Sequence, residues 1–320
     1  MSVRPILLQS DGAIYGTPGA YRTSPPPMAG KYAGSSLRED VTYYTVDETG
    51  TAVLKTVKAY PFYCDSVSGG LDTSGDGSLE NPFRSVNQAL IILQPILTCL
   101  NSSSCCTYIV LRVKGTVDYP VQYENESIFN GYDKFIIEPW SIDKVIFYSI
   151  NGNKCISKLT YLIFKNIEAN LVSNLDIYLK NVYLINTCTN SIFNSCITNI
   201  NVSSSSFSNF IGFYNNDSSI FYKCEGEHYI KGNNSETSVF GDNNESIFYE
   251  AIGNSSGYNN ITFGMLLYGF FRNPSSAMYE CNGNVASTNG YIEGCGFYEN
   301  TNSTYLNCTG NSLNRTNCDI

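Results

Sequence analysis

The residues of this chain equipped for chemistry are one acidic loop, a single histidine, three recurring glutamates and twelve cysteines. Asp72-Thr73-Ser74-Gly75-Asp76-Gly77-Ser78 has oxygen ligands at the first, third and fifth positions of a calcium-type loop and glycine at the sixth. The bidentate glutamate such a loop needs at its twelfth position is Phe83. The stretch therefore reads as a tight acidic turn, and no metal or other cofactor is expected. His228 cannot hold a metal alone, and its setting in Glu225-Gly226-Glu227-His228 predicts an exposed turn. Glu225, Glu250 and Glu280 recur near equivalent points of a repeat and read as a solvated acidic edge or as part of a carboxylate pair. A glycan hydrolase needs such a pair facing across a groove.

The cysteines, at 64, 99, 105, 106, 155, 188, 196, 224, 281, 295, 308 and 318, contain no CxxC pair, which disfavours the usual zinc sites. Two readings stand. Most are small apolar residues stacked in a core, or some oxidise outside a cell, with Cys105, Cys106, Cys308 and Cys318 the candidates. No catalytic, cofactor-binding or metal-binding residue is assigned.

Groups like these would have to be positioned by short strands. Charged residues make up 15% of the chain, against roughly 25% in ordinary soluble domains. Asn, Ser, Thr, Gly and Tyr take their place, a composition that favours an all-β fold of many strands and turns. A net charge of −9 with only 19 basic residues and no basic patch argues against a nucleic-acid partner. The longest apolar stretch, residues 89–97, is well short of the roughly 18 residues that cross a membrane. The first residues lack a secretory leader pattern, so the expectation is a chain made in a host cytoplasm without a membrane partner.

Residues 1–60 read as an N-terminal arm with a small hairpin, and 61–320 as one repetitive body. Gly16-Thr17-Pro18-Gly19 and Ser24-Pro25-Pro26-Pro27 interrupt any regular element. A strand over 41–46 and another over 52–57 flank Glu48-Thr49-Gly50 as a hairpin. Phe83, Val86, Ala89, Leu90 and Leu93 share one helical face, which predicts a helix over about 82–94 with Pro82 in its first turn and Pro95 at its end. A strong strand over 108–116 follows and opens a series of coils.

From residue 134 short strands alternate with Asn, Ser and Gly. Lys165-Asn166-Ile167 reads as recurring in Lys180-Asn181-Val182. Phe221-Tyr222-Lys223-Cys224, Phe248-Tyr249-Glu250-Ala251 and Met278-Tyr279-Glu280-Cys281 read as copies, with Tyr305-Leu306-Asn307-Cys308 as a fourth. Strand alternation places Cys224 and Cys281 on the same side as Tyr222 and Tyr279. Irregular repeats of this size are those of a β-solenoid, whose coils bury their apolar sides only by stacking, with Asn ladders at equivalent turns.

The segment from Tyr63 through Asp76-Gly77-Ser78-Leu79-Glu80-Asn81-Pro82-Phe83 to the strand ending at Gly115 resembles the start of pectate-lyase-like β-helices, phage tailspikes among them. That resemblance implies a single-stranded right-handed parallel β-helix with a short N-terminal cap helix closing its open end. It carries no activity, because that fold hosts lyases, hydrolases, adhesins and inert virion parts. Only Arg272 and Arg315 are arginines beyond residue 134, which weakens a lyase acting on acidic sugars. The expected function is a virion protein, a spike, fibre or capsid decoration. It would dock on other virion proteins through its N-terminal arm, form a homo-oligomer such as a trimer, and engage host-surface glycan. A polysaccharide depolymerase and a cell-surface adhesin are the alternatives.

Overall fold

The computed structural model describes residues 7–8, 14–15, 38–47, 49–93, 107–122, 135–141, 144–148, 155–157, 162–176, 181–204, 208–232, 235–258, 265–289, 292–314 and 318–319. The Pro/Gly-rich part of the arm, Pro95 and Cys99, Cys105 and Cys106 lie outside them.

Short β-branched and aromatic runs separated by turns wind into stacked coils, a parallel β-solenoid. Each full coil adds one strand to each of three sheets. The first sheet runs from Ala52–Ser66 and Thr107–Gly115 down to Ala277–Tyr279 and Thr304–Leu306. The second runs from Val145–Tyr148 through Ile197–Ser204, Glu225–Gly232 and Ile252–Tyr258 to Thr309–Gly310. The third runs from Val121–Gln122 to Ile292–Tyr298, and Ser312–Leu313 closes it antiparallel.

Identical side chains stack along the interior. Phe193, Phe221 and Phe248 follow one another at ring separations of 4.9 and 4.7 Å. Phe213, Phe240, Phe270 and Phe297 form a second column at 5.0, 4.8 and 4.7 Å. The columns meet edge to face, as Phe221 and Phe240 do at 5.7 Å. Each such pair adds about 0.5–1.5 kcal/mol beyond its burial.

The turns carry their own ladders. Asn216, Asn243, Asn273 and Asn300 are buried, and each donates its Nδ2 to the Oδ1 of the next, at 3.2 Å for the first step and 3.0 Å for the other two. The last step ends on a carboxylate: Asn300 donates its backbone N–H and its Nδ2 to Asp319 Oδ2 at 2.8 and 3.1 Å. Ser191, Ser219, Ser246, Ser276 and Ser303 form a parallel ladder in which each backbone N–H donates to the next Oγ at 3.1 Å. The expected amide ladder is thus a main support of the stack.

Six successive coils bend from the first sheet to the second at Asn166, Ser195, Lys223, Glu250, Glu280 and Asn307, with φ between 49 and 54°. Such a conformation costs a residue with a side chain about 1–3 kcal/mol. Hydrogen bonds to the next coil offset it: Lys223 N–H donates to Tyr249 O and Glu250 N–H to Tyr279 O, both at 2.9 Å. The bend also corrects the expected alternation. Tyr222, Tyr249 and Tyr279 occupy one register position, as expected. They lie outside the coil, whereas Cys224 and Cys281 point into the core. Nor are Lys165-Asn166 and Lys180-Asn181 copies, because Asn166 turns the first bend and Asn181 opens a third-sheet strand.

At the first coil, Val86, Ala89, Leu90 and Leu93 of a helix over 86–93 join Phe62 and Leu111 in the core. The helix begins at Val86 rather than Pro82. Phe83 instead bridges Cys64 in parallel fashion, and Tyr119 Oη accepts the Val86 N–H at 3.0 Å.

The hairpin pairs Glu39–Val46 with the first half of Ala52–Ser66. It lies across the outside of the first sheet, with Val41 and Tyr43 on Val110, Ile136 and Ile163. Arg112 anchors its base through Glu39 at 2.6 Å and Glu138 at 3.1 Å. Further along, Tyr44 stacks on Tyr222 at 4.4 Å.

In the later coils the second and third sheets meet backbone to backbone at one register position. A Cβ on Gly253 would lie 2.8 Å from Gly269 O, and one on Gly283 would lie 2.4 Å from Gly296 O.

Candidate functional site: the outer face of the second sheet

Along Glu225–Gly232 the pattern of exposure alternates strictly. Gly226, His228 and Ile230 point inward, and Glu227, Tyr229 and Lys231 outward. Parallel pairing then builds outward columns, Asn199–Glu227–Asn254–Asn284 and Asn201–Tyr229–Ser256–Ala286. Neighbouring strands set the spacing within a column at about 4.8 Å.

The columns are partly self-bonded. Asn284 Nδ2 donates to Asn254 Oδ1 at 2.9 Å, and Glu168 Oε1 accepts from Asn199 and Asn170 at 3.0 and 2.9 Å. Lys231 Nζ sits 5.8 Å from the Tyr258 ring centre. The face thus combines planar amides and carboxylates with hydroxyls and two half-exposed tyrosines. Such a set can hydrogen-bond paired hydroxyls and stack on a sugar ring. Its regularity comes from the polar residue at every second position of Asn199-Ile200-Asn201 and its copies.

The residues singled out from the sequence sit elsewhere. His228 is 1% exposed, which corrects the expected exposed turn. Its Nδ1 lies 3.1 Å from Thr237 Oγ1 and its Nε2 3.4 Å from Thr198 Oγ1. Burial lowers its pKa to about 3, so it stays neutral. Glu250 pairs with Lys223 at 3.1 Å and shares a turn position with Glu280, but Glu225 opens a second-sheet strand in register with Ile197 and Ile252. The three glutamates therefore form no single column.

In the acidic loop, Asp72 Oδ1 accepts the Ser74 N–H at 2.8 Å and Asp76 Oδ1 the Ser78 N–H at 3.0 Å. The Ser74 hydroxyl and N–H, both donating to it, hold the Asp72 carboxyl below its usual range. Phe83, at the loop's twelfth position, is fully buried. The carboxylates serve the turn that leads into the cap. Among the described residues no three His, Cys, Asp or Glu side chains group closely enough to hold a metal ion.

Six described cysteines, Cys64, Cys155, Cys188, Cys196, Cys224 and Cys281, are buried, as the stacked-core reading expects. Burial pushes the Cys64 thiol up to about 12. Of the cysteines named for oxidation, Cys318 is bonded to Cys295, and Cys308 is free and half-buried. The partnership of Cys295 carried no signal in the sequence.

Comparison with protein-family models, with curated proteins and with solved structures found no match to the chain.

Proposed function

We propose that the protein is a structural component of a virus particle, a spike, fibre or capsid decoration of the tailspike kind. It projects its solenoid and offers the outer face of the second sheet to neutral host-surface glycan. The observation that carries this reading is the hairpin fastened along several coils. A pull on the chain ahead of Glu39 is shared by Arg112, the Val41–Tyr43 contacts and Asn194, whose side-chain amide bonds the Tyr44 N–H and C=O, and does not peel one strand from the end of a sheet. A segment that docks on other virion proteins needs that kind of junction. The exposed Asn, Ser and Tyr columns favour uncharged hydroxyl-rich ligands, since the two columns hold no cation and Glu227 is their one charge. Outward Ile220 and Ile247 on the first sheet favour side-by-side association of copies, a trimer in this reading.

Mass spectrometry of purified particles tests the assignment, and absence of the chain from them ends it. Deleting residues 1–37, which spares the hairpin, should leave the solenoid folded and abolish incorporation. Normal incorporation of the truncated chain would place docking elsewhere.

A further inference from the structure

The last two coils bring two thiols to one position. Thr309 N–H donates to Cys281 O at 2.9 Å, and Asn282 pairs with Thr309, so Cys281 and Cys308 occupy the same register. Neighbouring strands lie about 4.8 Å apart, inside the roughly 4.4–6.8 Å Cα separation that a disulfide spans. The two thiols are within hydrogen-bonding reach of each other. Cys281 is 1% exposed, whereas Cys308 is half-buried, so a reagent reaches the pair through Cys308.

We propose that Cys281 and Cys308 are a redox-active thiol pair that hydrogen peroxide couples into a disulfide joining the last two coils. The Cys308 thiolate attacks the peroxide O–O bond, giving a sulfenic acid and, after protonation of the leaving hydroxide, water. The Cys281 sulfur then displaces the sulfenic oxygen as a second water. Two thiols and one peroxide thus yield one disulfide and two waters.

Three features support the step. Interaction with the neighbouring Cys281 thiol holds the Cys308 thiol below the ordinary thiol range, which favours its thiolate. The last coil consists of the short strands Thr304–Leu306 and Thr309–Gly310, which can absorb a small approach of the sulfurs. Cys295–Cys318 already bonds the tail to the neighbouring coil.

Cys196 and Cys224 provide a built-in comparison. They are stacked and hydrogen-bonded in the same way but fully buried, with coils on both sides. The test treats the full-length native protein with hydrogen peroxide, then denatures it, alkylates with N-ethylmaleimide and maps unreduced peptides. The expected result is a Cys281–Cys308 cross-link, with Cys196 and Cys224 fully alkylated. Cys308→Ser should abolish the cross-link and Cys196→Ser should retain it. The proposal is overturned if Cys308 proceeds to sulfinic acid while Cys281 stays alkylatable. It is equally overturned if both stay free at peroxide levels that oxidise an unstructured cysteine peptide.

Discussion

The side-chain amide of Asn194 reads the peptide of Tyr44 as a neighbouring strand would. Its Oδ1 accepts the Tyr44 N–H and its Nδ2 donates to the Tyr44 C=O, both at 2.6 Å. The two residues are 150 positions apart in the chain, and this double bond fastens the hairpin to the middle of the solenoid. Asn194→Ala should cost about 1–3 kcal/mol, because both Tyr44 groups lose their partner. Hydrogen exchange over residues 39–46 should rise while the Phe221–Phe248 coils stay protected. Unchanged exchange would mean that Val41 and Tyr43 alone hold the hairpin.

The buried ladder and the outer amide column predict opposite costs for the same substitution. Asn243→Ala leaves the Asn216 N–H and Phe213 O unmet in the interior and should cost at least about 1–3 kcal/mol. Asn254→Ala, on the solvated outer face, should stay within about 0.5 kcal/mol. Urea unfolding of the two variants compares them directly, and equal midpoints would discount the ladder.

His228 gives the stack a defined acid response. Its folded pKa, about 3, lies below the ordinary 6.5, so the unfolded chain binds the proton first. Stability is therefore fully present above pH 6.5 and declines as the pH falls toward 3, by about 1.4 kcal/mol per unit. Denaturant unfolding at pH 7, 5 and 4 should show His228→Gln with a shallower decline than the native chain. Parallel declines would remove His228 from the account.

Cys281→Asp should place an unpaired carboxylate among Phe248, Met278 and Phe297 and unfold the C-terminal coils. Loss of protection confined to residues beyond about 277 would match this. A native exchange pattern would contradict the inward placement of Cys281.

Strand rhythm and the Phe-Tyr repeats were legible because each copy keeps its apolar residues at the same register position. Two other features were hidden for physical reasons. Lys223, Glu250 and Glu280 hold a left-handed bend that glycine would have announced, so the switch from outward tyrosine to inward cysteine left no mark. His228 was legible in principle, since Gly226-Glu227-His228-Tyr229-Ile230 alternates inward and outward residues, yet its two acidic neighbours suggest a turn. The outer face of the second sheet and the Asn194–Tyr44 bond depend on which coils become neighbours, and that follows only once the register is known.

The glycine contacts between the second and third sheets set the gauge of the lower coils. Packed sheets ordinarily stand about 10 Å apart, separated by a layer of side chains. Where Gly253 meets Gly269 and Gly283 meets Gly296, main chain touches main chain. A core of side chains can be retuned by swapping methyl groups, but this keel has none to swap. Its thickness is fixed by the backbone itself, so any added carbon there must push the two sheets apart.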